Sequence, residues 1–166
     1  MHRYLRNLDW ILIGTIVLLT GIGMVLIASA THGDALVSGS SEGPRTRMIL
    51  CTVKGDLHDI GKNIVRSMLE ANGFEVLDLG IDCPPEKVVE TAKAENIKIV
   101  ALSGVLTLAL DSMKATVEAL RNAGLDVKVI IGGAPVSAEA CVNIGADEWA
   151  HSPQKTVDTC KSWAGN

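Results

Sequence analysis

Hydrophobic and polar positions divide this chain into three stretches of different rhythm. From Leu8 to Ala30 the run LDWILIGTIVLLTGIGMVLIASA is apolar on every side, with one charge, Asp9, at its edge. A helix of that length without a polar face suits the interior of a bilayer, and Trp10 stands where an interfacial aromatic would stand. Arg3 and Arg6 precede the run, and Ala28-Ser29-Ala30 has the small-x-small form of a cleavage site. The expectation for 1–30 is therefore a transmembrane helix or a signal-like segment. Residues 31–46, THGDALVSGSSEGPRT, are rich in Gly, Ser and Thr and have no hydrophobic period. They read as a flexible linker.

From residue 47 to 166 short apolar runs alternate with amphipathic ones. MILCTV (Met48–Val53), EVLDLG from Glu75, IKIVALSG from Ile97, VKVIIGG from Val127 and the short EWA at Glu148 read as strands. Between them, Ile60, Ile64, Val65, Met68 and Leu69 repeat at helical spacing, and Gly73 marks a stop. Pro84-Pro85 opens a second helix through Ala94. Further helices cover LDSMKATVEALRNAG, SAEACVNIG and PQKTVDTCKSWAG. The third strand is almost wholly apolar, as a strand buried on both faces should be. Strict alternation predicts an α/β fold: a doubly wound, five-stranded parallel sheet of Rossmann-like or flavodoxin-like form, preceded by a single apolar helix.

Composition narrows the function. The formal net charge is -4, the basic residues form no block, and aromatics are 3 % of residues. Nucleic-acid binding has neither electrostatic nor stacking support. The cysteines, Cys51, Cys83, Cys141 and Cys160, are far apart and make no C-x-x-C. They read as small buried residues in a reducing compartment, not as a zinc site or a redox pair.

In a doubly wound sheet, ligands sit beyond the carboxyl ends of the strands. The loops Lys54–Asp59, Ser103–Thr107 and Gly132–Pro135 should then converge on one edge. In GDLHDIGKNIV, Gly55 to Val65, Asp56 and His58 stand two apart after a strand. A carboxylate beside an imidazole fixes its tautomer by accepting one ring N–H, which leaves the other nitrogen free as a base or a metal ligand. A capped helix start is the plainer alternative, with Asp59 as the cap. The spacing is not that of a phosphate loop. His2, His32 and His151 supply no clear second set of ligands. One protein ligand alone implies a metal that brings the rest of its coordination with it, and so a macrocycle.

GDLHDIGKNIV resembles the cobalamin-binding signature D-x-H-x-x-G, with Asp56, His58 and Gly61 in its three positions. LSGVLTLALDSM resembles the S-x-L segment of the same family, and IGGAPVS its Gly-Gly segment, in the same order and spacing. The resemblance covers about Met48 to Gly165. It is nearest to the corrinoid methyl carriers of methylamine- and methanol-type methyltransferase systems and to the cobalamin module of methionine synthase. It implies that His58 replaces the dimethylbenzimidazole on cobalt, so that the cofactor is bound base-off and His-on, and that Asp56 holds the other ring nitrogen. It implies that Gly61 lets the helix pack near the nucleotide tail, that Ser103 and Thr107 face the displaced base, and that Gly132 and Gly133 leave a slot for the tail. Asp59 and Val105 fall within the same cofactor-binding segments. Two positions depart from the pattern. Val105 stands at the S-x-L leucine, and Ala109 stands where methionine synthase ends its hydrogen-bond chain on a serine. The helical bundle that precedes the corrinoid domain in such carriers has no counterpart here. The first tract instead resembles the first membrane span of the cell-shape and division family of peptidoglycan polymerases.

The resemblance implies cobalamin as cofactor, with its cobalt alternating between cob(I)alamin and methylcobalamin. It also implies methyl-donor and methyl-acceptor methyltransferase subunits as partners. The chain reads as a corrinoid subunit, not a complete enzyme, with a cytoplasmic domain that residues 8–30 would anchor to a membrane. A membrane-tethered corrinoid store, a corrinoid sensor and the cobalamin domain of an isomerase are the alternatives. An isomerase would need a substrate barrel, and a sensor an output domain.

Overall fold

The structure, a computed structural model, describes residues 13–25 and 45–165. The chain divides into two units, Met1–Glu42 and Gly43–Asn166. In the first, residues 13–25 form a helix, α1, with Val17, Leu18, Leu19 and Val25 exposed. A span needs about 20 apolar residues, and no helix among the described residues is long and apolar enough to cross a membrane. The described helix covers residues 13–25 of the tract expected to span a membrane over 8–30, and by itself gives that expectation no support. The remainder of that tract, and the expected linker except residues 45 and 46, lie outside the described residues.

The second unit contains β1 (Arg47–Thr52), α2 (Ile60–Ala71), β2 (Glu75–Asp78), α3 (Pro85–Ala94), β3 (Ile99–Ser103), α4 (Ala109–Asn122), β4 (Lys128–Gly132), α5 (Ala138–Ile144), β5 (Glu148–Ala150) and α6 (Pro153–Ala164). Every strand and helix read from the hydrophobic pattern is present, with ends shifted by a residue or two. Local chemistry sets several of those ends. Pro85 lies in the first turn of α3, where its missing N–H costs nothing. Ser137 and Ser152 cap α5 and α6 by accepting from the N–H groups of Ala140 and Lys155. β2 stops at Asp78 because its carboxylate takes the N–H of Gly80 at 2.9 Å and turns the chain.

All strand pairs are parallel, in the order β2-β1-β3-β4-β5. The order reverses direction between β1 and β3, so the loops after these two strands diverge and leave a crevice at the carboxyl edge. One face of the sheet is closed by α3, α4 and α5, through Val88, Met113, Leu120 and Ile144. The other carries α2 and α6, through Leu69, Val157 and Cys160. Burial of these apolar faces is the main favourable term in forming the layers.

Candidate functional site

Beyond β1 the chain turns across the carboxyl edge and buries Asp56 completely. The Oδ2 atom of Asp56 accepts from the backbone N–H groups of Val105 (2.6 Å) and Leu106 (3.0 Å), both in the loop after β3. Oδ1 accepts from the backbone N–H of His58 at 3.0 Å and lies 2.6 Å from His58 Nδ1. This carboxylate thus ties together the two loops that diverge at the switch point. Burial pushes its pKa up, but the hydrogen bonds from His58, Leu106 and Val105 outweigh burial and hold it well below the usual carboxylate range.

An ionised carboxylate can only accept, so the proton of this pair resides on His58 Nδ1. In the neutral imidazole, Nε2 then keeps its lone pair. The imidazole is half exposed, at 53 %, and its residue is held from behind by the Thr52 hydroxyl, which donates to the His58 carbonyl at 2.9 Å. The tautomer argument made from Asp-x-His alone thus has its geometry.

Beside His58 a cavity of about 140 Å³ opens between the sheet and the helices α2 and α6. Leu50, Ala101, Ile130 and Ala150 form its sheet side, Gly61, Lys62 and Val65 one wall, and Pro153 and Thr156 the other. Of the residues singled out in the sequence, His58, Gly61, Ser103, Val105, Gly132 and Gly133 border it, and Asp56 lies beneath His58. Asp59 and Thr107 are not on its wall; both are exposed. Nor does Asp59 cap α2, since it makes no cap hydrogen bond. Its carboxylate instead reaches Asn63 Nδ2 at 3.4 Å.

The glycines separate into two kinds. A Cβ on Gly61 would meet nothing within 4 Å and would project into open space. A Cβ on Gly133 would stand 1.7 Å from the carbonyl oxygen of Gly104, and φ there is +128°. Gly133 is therefore demanded by the close approach of the chain after β4 to the chain after β3, whatever the cavity holds. Gly104, overlooked in the sequence, is equally constrained, because a Cβ there would lie 2.5 Å from Ala109 Cβ.

Two further contributions were not read from the sequence. Lys62 is buried, ion-paired with Asp78, and donates to Asn63 Oδ1 at 2.8 Å. The loop after β5 adds His151 and Ser152 to the cavity, with the His151 ring edge-on to Trp149 at 4.4 Å. The rule that selected the other three loops applied to this one as well, once β5 was read as a strand. Nothing in the sequence marked Lys62 as buried.

These residues fit a cobalamin. The His58 imidazole, oriented by Asp56, presents its other nitrogen at the edge, and an apolar cavity opened by Gly61 lies beside it. No group of three or more His, Cys, Asp or Glu that could hold a bare ion occurs among the described residues.

Comparison with known proteins gives the same answer. The B12 binding domain family matches residues 46–157. Dimethylamine corrinoid protein 1 of Methanosarcina acetivorans is 40 % identical over 130 residues, which are 77 % of this chain and 61 % of the relative. Among solved structures, a cobalamin-binding protein from Desulfitobacterium hafniense DCB-2 superposes with a TM-score of 0.70 at 55 % identity, over 72 % of this chain and 59 % of that one. The methanol:cobalamin methyltransferase complex of Methanosarcina barkeri contains a chain that matches with a TM-score of 0.70 at 27 % identity, over 76 % of this chain and 50 % of that one. This chain thus spans between half and two thirds of the length of these relatives. By the match over residues 46–157, the chain belongs to the B12-binding domain family, and cobalamin is the cofactor of its α/β domain.

Proposed function

We propose that this chain is a methyl-carrying corrinoid protein, in which His58 would hold cobalt and the cavity between α2 and α6 would take the nucleotide tail of the cofactor. The observation that carries this reading is the Asp56–His58 pair. Its buried carboxylate keeps Nδ1 protonated and leaves Nε2 as a donor beside a cavity with an apolar floor. Bound cobalamin would supply a cobalt that takes up a methyl group and gives it back. The protein's part is to bind, orient and tune. Asp56 stays ionised and lends negative charge to the far side of the ring, which makes Nε2 a stronger donor. Gly61 and the small side chains Ala101 and Ala150 leave room for the tail. Ser103 offers a hydroxyl at the cavity wall. Ala109 has no hydroxyl, so a hydrogen-bond chain from His58 through Asp56 would end at Asp56 or pass to water.

The corrinoid identity of the relatives, and the methyltransferase complex that contains one of them, support two partners for this chain: a methyltransferase that loads the cofactor and another that unloads it. The proposed setting is the cytoplasm, as low-potential cobalt chemistry requires.

Electron paramagnetic resonance of the cobalt(II) form, with protein histidine labelled with nitrogen-15, tests the ligand assignment. A histidine nitrogen coupled to cobalt is expected in the wild type and is lost in His58→Ala. Coupling to the cofactor's own benzimidazole in the wild type would overturn the assignment.

A further inference from the structure

The loop that holds Asp56 and His58 is supported from one side by the segment after β2. The N–H of Thr52 donates to the Gly80 carbonyl (2.9 Å), that of Cys83 to the Thr52 carbonyl (3.0 Å), and that of Asp82 to the Asp56 carbonyl (3.0 Å). These are backbone bonds that most residue types could make. One further bond depends on the side chain: Asp82 Oδ1 accepts from the N–H of Gly55 at 2.7 Å.

Asp82 is also held at φ +49°. Among the described residues, only Asn96 is another non-glycine residue with positive φ, at +48°. Asn96 follows α3, and its N–H returns to the Lys93 carbonyl at 3.4 Å, an ordinary way to end a helix. Asp82 ends no helix. Its left-handed conformation sends the N–H to Asp56 and the carboxylate to Gly55, so one residue grips two consecutive residues of the ligand loop. Short polar side chains tolerate that conformation better than others, because they can hydrogen-bond locally. Strain of this kind persists where the surroundings over-determine it.

We propose that Asp82 is a positioning residue for His58: by holding Gly55 and Asp56 from the β2 side, it sets how the Asp56 carboxylate meets Nδ1 and so where Nε2 points. The inference rests on His58 being the cobalt ligand. The Asp56–His58 hydrogen bond can be measured in protein prepared without cofactor, so the two ideas can fail separately.

Three variants of the full chain divide the role. Asp82→Asn keeps an acceptor oxygen and the tolerance for positive φ. Asp82→Gly keeps the conformation and loses the acceptor. Asp82→Ala loses both. In the cofactor-free protein, nitrogen-15 NMR of the His58 ring reads the Nδ1–H···Asp56 bond directly. In the loaded protein, cobalamin titration and the histidine hyperfine coupling read the consequence. Asp82→Gly and Asp82→Ala should shift the ring signal, broaden the coupling and weaken cobalamin binding about tenfold, or about 1.4 kcal/mol. Asp82→Asn should stay within about twofold of the wild type. An unchanged His58 ring signal in Asp82→Gly overturns the proposal, even if wild-type cobalt proves to carry some other ligand. Equal impairment of Asp82→Asn and Asp82→Gly also overturns it, because the accepting oxygen would then not be what matters. Circular dichroism of each variant identifies any that is unfolded, and Asp82→Asn against Asp82→Gly then decides between the folded forms.

Discussion

On one face of the sheet, three helices close over nineteen buried side chains; on the other, α2 and α6 close over ten among the described residues. The same strands serve both faces, since alternate residues point opposite ways. On the closed face, side chains stay large toward the carboxyl edge: Val100 then Leu102 in β3, Val129 then Ile131 in β4. On the open face they shrink: Ile99, Ala101 and Ser103 in β3, Ile130 then Gly132 in β4, with Ala150 at the end of β5. Two helices spread over five strands, above side chains that taper, cannot fill the volume at that edge. The cavity is the remainder. The comparison teaches that one face stores the stability of the domain and the other gives up packing to make room for a ligand.

The largest expected effect separates the faces by stability. Leu120→Ala, on the closed face and far from the carboxyl edge, should cost about 2–5 kcal/mol in chemical denaturation of the cofactor-free protein. Its folded fraction should bind cobalamin as the wild type does. If affinity drops along with stability, the faces are coupled and the division of labour is wrong.

Asp56→Asn tests the edge where the faces meet. Near neutral pH it should destabilise the fold by about 1–3 kcal/mol, because it removes an ionised acceptor from buried N–H donors. The folded Asp56 carboxyl titrates below its unfolded value of about 3.9. Its ionised form therefore stabilises the fold above that pH, and the contribution is lost as pH falls through the lower, folded value. The stability gap between wild type and Asp56→Asn should hold constant from neutral pH down to about 4 and narrow only as pH falls below the unfolded value of about 3.9. A gap that stays flat below that value would mean that the charge is not what the site uses.

The smallest stability change belongs to Gly61→Leu. The position lies in the first turn of α2, a Cβ there meets nothing, and leucine favours helix over glycine by up to about 1 kcal/mol. The cofactor-free variant should be slightly more stable than the wild type, yet bind cobalamin about tenfold or more weakly, a loss of at least about 1.4 kcal/mol. Isothermal titration beside thermal melting reads both. Undiminished binding would show that the space beside Gly61 is not where the tail lies.

Much of the site was legible before folding because it is local. Asp56 and His58 are two residues apart on one turn, so their hydrogen bond follows from spacing. The loops after β1, β3 and β4 were expected at one edge because parallel strands with right-handed crossovers leave no other arrangement. Gly133 was legible as a required glycine but for an incomplete reason: the steric demand comes from Gly104, twenty-nine positions earlier, and no spacing rule reports it. Thr107, placed by its motif near the displaced base, is exposed and does not border the cavity. The membrane helix was inferred from hydropathy alone, and the described residues show helix only over 13–25 of that tract.

Sequence by itself determined the alternation of strands and helices, the parallel sheet, and the chemistry of Asp56 and His58, because hydrophobic period and short-range spacing are properties of neighbouring residues. Tertiary structure alone decided which distant groups complete the site. The N–H groups of Val105 and Leu106 reach Asp56, Lys62 is buried against Asp78, the loop after β5 faces the loop after β1, and Asp82 grips Gly55. Such pairings depend on the strand order and on the twist that brings separate loops within hydrogen-bonding distance. That distance is a property of the packed layers, and no stretch of the chain carries it.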